Sequence, residues 1–336
     1  MYIQRIHIEN CWYNPLFTQE GVFINKINKD LLILNPETLN FLKELKIDSS
    51  YFKVQDKYLF SKHNNKTELI NLNNFEIIKE VDNLNILPSC IEKNTVFSNF
   101  MDKVIKYDFK NNNIEFSLQS KAGKFIIKFN NIVCFDEHNL GNLNNNTVIG
   151  FNCDNGNTLW RTNIEEIGSF QENGVNYKGE IKKLIGVYNN LLILSLNTKI
   201  IALSISHGNL IWENDIVRYP FLYNDKLYVL SDYLIEIDAL NGKLIKKEEV
   251  TDLTKNKISV EPNRFTVTDE YIYFVQTDPP LVGVLEIKSL KLLWFHSLPR
   301  SDYAHQYFLV DAPVVYGNFL TVLDSNNTLH IFEKEN

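Results

Sequence analysis

Histidines, cysteines and acidic residues are the side chains in this sequence that could catalyse a reaction or bind a metal ion. The seven histidines show no HxxxH spacing, and the four cysteines are far apart and form no CxxC pair, so neither residue type has the spacing of a zinc site. The loop DEHNLGN at 136–142 carries oxygen ligands that suit calcium, but it lacks the regular spacing and closing glutamate of a calcium loop. We therefore expect no metal site.

Motifs that activate a nucleophile or bind phosphate are also missing from the sequence. It contains no GxSxG elbow and no glycine-rich phosphate loop. The acidic pairs Glu165-Glu166 and Glu248-Glu249 lie in loops or at strand ends, where solvated charge is the ordinary interpretation. The sequence thus predicts no catalytic residue and no cofactor, and we interpret the protein as a non-enzyme.

One short phrase recurs along the chain and shows how these residues are positioned. The sequence IGFNCDNGNTLW ends at Trp160 and IALSISHGNLIW ends at Trp212. Weaker copies place Lys43, Lys79, Phe116, Lys246 and Trp294 at the same final position, which gives seven copies at spacings of 36, 37, 44, 52, 34 and 48 residues. A repeat of roughly 40 residues with loops of variable length is typical of β-propellers.

Each copy reads as two strands joined by a tight turn. Asn155-Gly156 and Asn241-Gly242 are strong hairpin signals, and His207-Gly208 is a weaker one, because asparagine and glycine tolerate positive φ. Two further short apolar strands precede each copy, as in PFLYND and KLYVLSD. Each repeat therefore predicts four antiparallel strands, and the class is all-β.

A single four-stranded sheet cannot bury both of its faces, so successive sheets must stack around an axis. The last segment supplies only three strands, and the N-terminal strand YIQRIHIE can complete its sheet. We predict one β-propeller domain over residues 1–336, closed by the N-terminal strand. Eight blades are expected, and seven are the alternative if the copy from Tyr107 to Phe116 is irregular.

The repeat resembles that of the quinoprotein-like propellers, in which an Ala-Leu-Asp strand, a turn ending in glycine and a strand ending in tryptophan recur. The resemblance covers essentially the whole chain and implies that the repeat tryptophan packs against the neighbouring blade. It implies this blade-docking role for Trp160, Trp212, Trp294, Gly156, Gly208 and Gly242. The lysines at the same position are expected to pack the aliphatic part of their side chains against the next sheet.

The quinone-dependent dehydrogenases of that fold carry a pair of adjacent cysteines and additional chain beyond the blades. This sequence has neither feature, so we interpret it as a non-enzymatic member of the family. A quinone-dependent enzyme or a lyase remains the third hypothesis.

Charge and hydropathy restrict the class of partner and the location. The net charge is −7 with scattered Lys and Arg, which indicates no nucleic-acid partner. The sequence shows neither a signal peptide nor an apolar run of membrane-spanning length. We expect a cytoplasmic monomer that contacts no membrane.

The longest inter-blade segments suggest where a protein partner would bind. The longest runs from Arg161 to Lys183, and others end near Arg264, Tyr219 and His305. Tyrosine and arginine are common interface anchors. The predicted protein-binding residues are Phe170, Tyr177, Arg218, Tyr219, Arg264, Arg300, Asp302, Tyr303 and His305.

Two protein-binding hypotheses follow from these features. The first is a bacterial immunity protein that neutralises a cognate toxin in the cytoplasm. A basic toxin is expected, because acidic character speeds association with a basic partner. The alternative is a scaffold of the envelope-assembly type, resembling exported lipoprotein propellers that share this repeat. The missing leader argues against the alternative.

Overall fold

A computed structural model of the chain describes all residues except 12–13, 29, 47–48, 56–57, 64–65, 83–86, 93–94, 101–102, 109, 120, 139–145, 173, 217–218, 301–310 and 336. Strands make up nearly all of its regular structure. The strands of the first half are β1 (Tyr2–Ile8), β2 (Leu16–Phe17), β3 (Val22–Asn25), β4 (Leu31–Leu34), β5 (Phe41–Leu45), β6 (Ser49–Gln55), β7 (Tyr58–His63), β8 (Lys66–Asn71), β9 (Glu76–Asp82), β10 (Leu87–Glu92), β11 (Thr95–Phe100), β12 (Lys103–Asp108), β13 (Asn113–Leu118), β14 (Lys121–Phe129), β15 (Ile132–His138), β16 (Thr147–Asn152) and β17 (Thr158–Asn163).

The second half contains the two short helices of the described residues. Its elements are α1 (Ile164–Ile167), β18 (Phe170–Glu172), β19 (Val175–Tyr177), β20 (Ile181–Tyr188), β21 (Leu191–Leu196), β22 (Ile200–Ser204), β23 (Leu210–Asn214), β24 (Phe221–Tyr223), β25 (Lys226–Leu230), β26 (Tyr233–Asp238), β27 (Leu244–Glu249), α2 (Thr251–Lys255), β28 (Phe265–Val267), β29 (Tyr271–Gln276), β30 (Leu281–Glu286), β31 (Leu292–Ser297), β32 (Val314–Tyr316), β33 (Phe319–Leu323) and β34 (Leu329–Lys334). Over the described residues, neither helix is long and apolar enough to cross a membrane.

Eight four-stranded sheets account for all but two of these strands in the described part of the chain, and the remaining two, β18 and β19, form a separate two-stranded sheet. Seven sheets take four consecutive strands each, from β2–β5 through to β28–β31, and the eighth has the order β1-β34-β33-β32. The fold is therefore an all-β, eight-bladed β-propeller with antiparallel blades, and the seven-blade alternative is wrong. The predicted closure is also confirmed, since Tyr2 pairs with Lys334 and Ile8 with Leu329.

The seven predicted repeat positions all lie in the fourth strand of a blade. In six of these blades the fourth strand has one extra residue immediately before the repeat residue, and the register therefore shifts there. The third-strand residues opposite these bulges are Ile33/Leu34, Leu69/Ile70, Lys106/Tyr107, Gly150/Phe151, Ala202/Leu203 and Val284/Leu285. A bulge bends a strand and increases its twist. The copy at Phe116 follows the same pattern as the others and is not irregular.

Burial within a blade follows the apolar content of its strands. Every residue of β21 and β22 is buried, and their sequences LLILSL and IIALS are nearly continuous apolar runs. In the outer strand β23 the only buried residue is Trp212. The inner strands therefore form the core, and the outer strand contributes mainly its docking residue.

The chain divides into two compact units by its contacts. One comprises residues 1–50, 227–236 and 244–336, and the other comprises 51–226 and 237–243. The first contains the closing sheet and the sheets β2–β5 and β28–β31, with buried clusters around Phe332 and Leu329. The second contains the sheets β10–β13, β14–β17 and β20–β23, with clusters around Phe151 and Leu194.

Candidate protein-binding site

The β18–β19 hairpin carries an exposed pair of aromatic side chains. Phe170 and Tyr177 are cross-strand partners, and their rings stack with centroids 4.8 Å apart and planes 15° from parallel. Their exposed fractions are 37% and 43%, and Val175 beside them is 52% exposed. These three side chains form a surface that we call the hairpin platform.

The base of the hairpin is closed by two glycines. The amide of Gly168 donates to the carbonyl of Ile164, and that of Gly179 donates to Glu165. A Cβ atom at Gly179 would lie 2.4 Å from the carbonyl oxygen of Ile164 and 2.6 Å from Cα of Gly168. Only glycine allows the two chain segments to approach this closely.

Side chains from the next blade also hold the hairpin base. Thr198 donates its hydroxyl to the carbonyl of Gly168 at 3.0 Å. Asn197 donates its amide to the carbonyl of Lys178 at 3.0 Å and accepts from the backbone amide of Glu180 at 2.9 Å. The hairpin platform is therefore mounted on a hydrogen-bonded support.

Charged residues around the hairpin base are paired with one another. Glu165 accepts from Lys178 at 2.6 Å and from the Asn146 amide at 2.5 Å, and the bond from Lys178 is the main reason why the pKa of Glu165 is lowered. Glu180 accepts from Lys182 at 2.6 Å. Four charged side chains at the hairpin base thus form two ion pairs, Lys178 with Glu165 and Lys182 with Glu180.

The remaining predicted binding residues are not gathered here. Tyr219 is half-buried in the same compact unit as the hairpin. Arg264 and Arg300 belong to the other unit. Arg218, Asp302, Tyr303 and His305 lie outside the described residues, so a single patch containing all nine residues stays a prediction.

Arg264 lines a cleft of about 360 Å³ together with Glu261, Asn263 and Asp311. Its guanidinium Nη1 lies 3.4 Å from Oδ1 of Asp311. Burial raises the pKa of Asp311 even though Arg264 acts in the opposite direction. Arg300 is mostly exposed, and its Nη2 lies 3.9 Å from a carboxylate oxygen of Asp278.

The predicted docking residues contact the next blade through specific hydrogen bonds. The indole nitrogen of Trp160 donates to the carbonyl of Ile205 at 2.7 Å, and that of Trp212 donates to Ala239 at 3.2 Å. Trp294 packs on Tyr2 and Phe332 of the closing sheet, with ring centroids 5.5 and 5.4 Å away.

The aromatic rings of the repeat pack against the turn glycines of the next blade. A Cβ at Gly208 would lie 2.4 Å from the Trp160 ring, and one at Gly242 would lie 2.5 Å from the Trp212 ring. A Cβ at Gly156 would lie 2.9 Å from Phe116. At the lysine position of the second blade, the ammonium of Lys79 donates to the carbonyl of Lys110 at 3.3 Å.

Titratable side chains do not assemble into a metal site in the described part of the chain. There, no group of three or more His, Cys, Asp or Glu residues could hold a metal ion. Cys11, Cys134 and Cys153 are buried free thiols, and burial raises the pKa of Cys134 to about 12.

The sequence predicts the two aromatic residues of the hairpin platform but not their pairing. It predicts a long inter-blade loop from Arg161 to Lys183, whereas the structure gives this segment a helical turn and two strands. The signal was present in FQENGVNY, where Asn173-Gly174 separates two short runs with an aromatic residue at each end. Val175 was missed for the same reason.

Comparison with solved structures places the fold among β-propellers. BamB from Moraxella catarrhalis is 9% identical with a TM-score of 0.65, and the match covers 99% of this chain and 100% of that one. The C-terminal WD40 domain of Sif2 is 11% identical with a TM-score of 0.68, over 100% and 99%. A europium-containing methanol dehydrogenase is 10% identical with a TM-score of 0.60, over 98% and 84%. At these identities the likeness shows the fold alone.

Comparison at the level of sequence gives the family. No curated protein matches this sequence. A family model described as outer membrane protein assembly factor BamB matches residues 144–336, which is more than half of the chain. The chain therefore belongs to this BamB family of PQQ-repeat β-propellers.

Proposed function

We propose that this protein is a non-catalytic, protein-binding propeller whose partner docks on the hairpin platform. The observation that carries the proposal is the exposed, stacked pair of Phe170 and Tyr177 on a hairpin with a fixed base. The family match supports a scaffold role, since the family is described as an assembly factor.

The physical basis is preorganisation of the platform. Aromatic side chains bury a large area with few rotatable bonds, and they are common among the residues that dominate interface energies. Ordering a loop on binding costs free energy. The bonds from Asn197 and Thr198 fix the hairpin base before a partner arrives, so less of that cost remains.

We propose two alternative roles for the protein, each with its own kind of partner. An immunity protein that binds a basic toxin in the cytoplasm is supported by the net charge of −7, which would accelerate association with a basic domain. A scaffold in envelope assembly is supported by the family description. The identity of the captured protein distinguishes the two.

The test is affinity capture from the native host, with the full chain as bait and chemical cross-linking before mass spectrometry. Wild-type protein is compared with Phe170→Ala/Tyr177→Ala. Each anchor is expected to contribute roughly 1–2 kcal/mol, so the double variant should bind its partner roughly 30- to 1,000-fold more weakly.

The matched control is Leu244→Ala/Ile245→Ala, which removes two exposed apolar side chains from the outer strand β27. It should retain the partner. Equal binding by wild type and the Phe170/Tyr177 variant would contradict the assignment of the site. Capture of a basic toxin domain supports the immunity role, and capture of outer-membrane assembly proteins supports the scaffold.

A further inference from the structure

Two sheets meet through a shared buried cluster in the unit that contains the first and last strands. The sheet β28–β31 and the closing sheet β1-β34-β33-β32 both belong to this unit. Tyr273 and Val282 of the former sheet pack in one cluster with Tyr2 and Phe332 of the latter. We call the contact between these two sheets the closing joint.

Two histidines contribute their rings to the closing joint. His296 of β31 stacks on Trp294, with ring centroids 6.1 Å apart and planes 11° from parallel. Its ring also meets the Phe332 ring edge to face at 5.1 Å. Phe332 in turn stacks on His330 at 6.4 Å. A single phenyl ring of β34 is therefore in contact with both imidazoles.

His330 belongs to a chain of hydrogen bonds. Its Nδ1 accepts from Nε2 of Gln4 at 3.1 Å, and its Nε2 donates to Oδ2 of Asp324 at 2.8 Å. The side chains of His330 and Asp324 are only 6% and 1% exposed. A proton added to His330 is therefore balanced by the Asp324 carboxylate beside it.

His296 lacks this kind of compensation. No carboxylate in the described part of the chain pairs with its ring, which is half-buried. Burial and the positive charge of His330 both lower the pKa of His296, because each disfavours its protonated form. The His296 ring is therefore neutral at neutral pH.

The other charged groups on the neighbouring strands are engaged elsewhere. The ionisable residues of β1, β30, β33 and β34, and of the turn before β34, are Tyr2, Arg5, His7, Glu286, Asp324, His330, Glu333 and Lys334. Arg5 pairs with Glu333 at 2.6 Å, and Lys334 lies over an aromatic ring. The charge that acts on His296 is that of His330.

We propose that the closing joint is acid-sensitive, because a proton taken up by His296 loosens the packing of β31 on the closing sheet. The proton adds a second positive charge around Phe332, at a ring that has no carboxylate partner in the described part of the chain. The N-terminal strand is loosened with it, since Tyr2 packs on Trp294 at 5.5 Å. The proposal goes beyond partner binding at the hairpin platform and rests on other residues.

The direction of the pH dependence follows from the two states of His296. In an unfolded or locally opened chain a histidine titrates near about pH 6.5, whereas in the packed joint the pKa of His296 is lower. Below about pH 6.5 the open state therefore binds more protons than the packed state. The stability that His296 contributes is complete above that pH and is lost as the pH falls below it.

The test is hydrogen exchange with mass spectrometry on the full chain at about pH 7.5 and about pH 5.5, with rates converted to protection factors that remove the intrinsic effect of pH. Protection in β1 and β31 should fall roughly threefold to tenfold at the lower pH. Protection in β22, which lies in the other compact unit, should change by less than about twofold.

Two variants remove the proton acceptor in different ways. His296→Phe keeps an aromatic ring against Trp294, and His296→Gln keeps a polar side chain without a charge at either pH. Both should show less than about a twofold fall in β1 and β31. The matched control is His207→Gln, an exposed histidine of the other unit, which should keep the fall of the wild type. No fall in the wild type, or an equal fall in both His296 variants, would overturn the proposal.

Nuclear magnetic resonance of the histidine rings measures the proton uptake directly. The His296 signal is assigned by its loss in His296→Gln, and its titration midpoint should lie below the value of about 6.5 for an unperturbed histidine. Attraction of a protonated ring to Trp294 and Phe332 would act in the opposite direction. A midpoint at or above about 6.5 would show that this attraction dominates, and the proposal would then be wrong.

Discussion

Three consecutive blade contacts are built from the same pair of residue types. An aromatic side chain at the end of one blade lies against a turn glycine of the next blade, and each of these glycines has φ between 71° and 74°. The pairs are Phe116 with Gly156, Trp160 with Gly208, and Trp212 with Gly242. Glycine is needed at these positions for two reasons. It adopts a positive φ without strain, and it has no Cβ atom where the aromatic ring lies.

Gly208→Ala is expected to destabilise the protein by about 2–5 kcal/mol. A left-handed conformation costs a non-glycine residue about 1–2 kcal/mol, and displacing the Trp160 ring, 2.4 Å from the new Cβ, costs about 1–3 kcal/mol more. Urea unfolding followed by tryptophan fluorescence measures the sum.

Gly174→Ala separates the cost of the left-handed backbone from the cost of displacing a ring. Gly174 has the same kind of backbone, with φ of 78°, but no heavy atom lies within 4 Å of the position that a Cβ atom would take there. This variant should lose only the conformational part, about 1–2 kcal/mol or less. Equal losses at the two glycines would show that the ring contact contributes nothing.

At the scale of elements, the hairpin β18–β19 differs from the blades because it belongs to none of the four-stranded sheets. An isolated two-stranded hairpin is marginally stable in water. Its order therefore depends on the hydrogen bonds at its base, in which Asn197 both donates to Lys178 and accepts from Glu180. The blade that follows the hairpin thus controls its rigidity.

Asn197→Ala should loosen the hairpin without unfolding the protein. Losing two hydrogen bonds of about 1 kcal/mol each is expected to speed amide exchange in β18 and β19 by roughly tenfold to thirtyfold. Hydrogen exchange with mass spectrometry measures this, and the melting temperature should change little. Asn176→Ala, an exposed position in β19, is the control, and similar exchange in both variants would refute the role of Asn197.

At the scale of the whole molecule, the last blade is completed by the first strand. Tyr2 is buried against Val275 and Val282 in the same cluster as Phe332, and Ile6 and Ile8 pack on the cluster that contains Leu329. The N-terminal strand therefore contributes to two buried clusters as well as to the sheet. Its removal would leave both clusters incomplete.

Deletion of residues 1–8 is expected to lower the free energy of unfolding by at least about 4 kcal/mol. The loss follows from exposing apolar partners of Tyr2, Ile6 and Ile8, each worth roughly 1.5–3 kcal/mol. Differential scanning calorimetry measures it, and one transition in the wild type would agree with the predicted single domain.

Arg5→Gln is the control for that deletion. The Arg5 guanidinium pairs with Glu333 at 2.6 Å but is largely exposed, so its loss should cost less than about 1 kcal/mol. A truncated protein as stable as this point variant would show that the N-terminal strand is dispensable.

The sequence alone determined the repeat, the four strands of each blade and the closing strand, and it favoured eight blades over the seven-blade alternative that the structure excludes. These features follow from local patterns, such as the turn glycines and the apolar runs, because such patterns lie within the sequence of a single blade. It also placed Trp160 and Trp212 at the same position of the repeat. The structure shows that both donate an indole hydrogen bond to a carbonyl of the next blade.

Only the tertiary structure decided which side chains meet. Phe170 and Tyr177 stack because the intervening chain is a hairpin, and Tyr2 reaches Tyr273 across 271 positions of sequence. The Asn173-Gly174 turn is a local signal for the first contact, but no local pattern encodes the second. Tyr2 meets Tyr273 because the first strand completes the sheet formed by the last three strands, and that pairing joins the two ends of the chain.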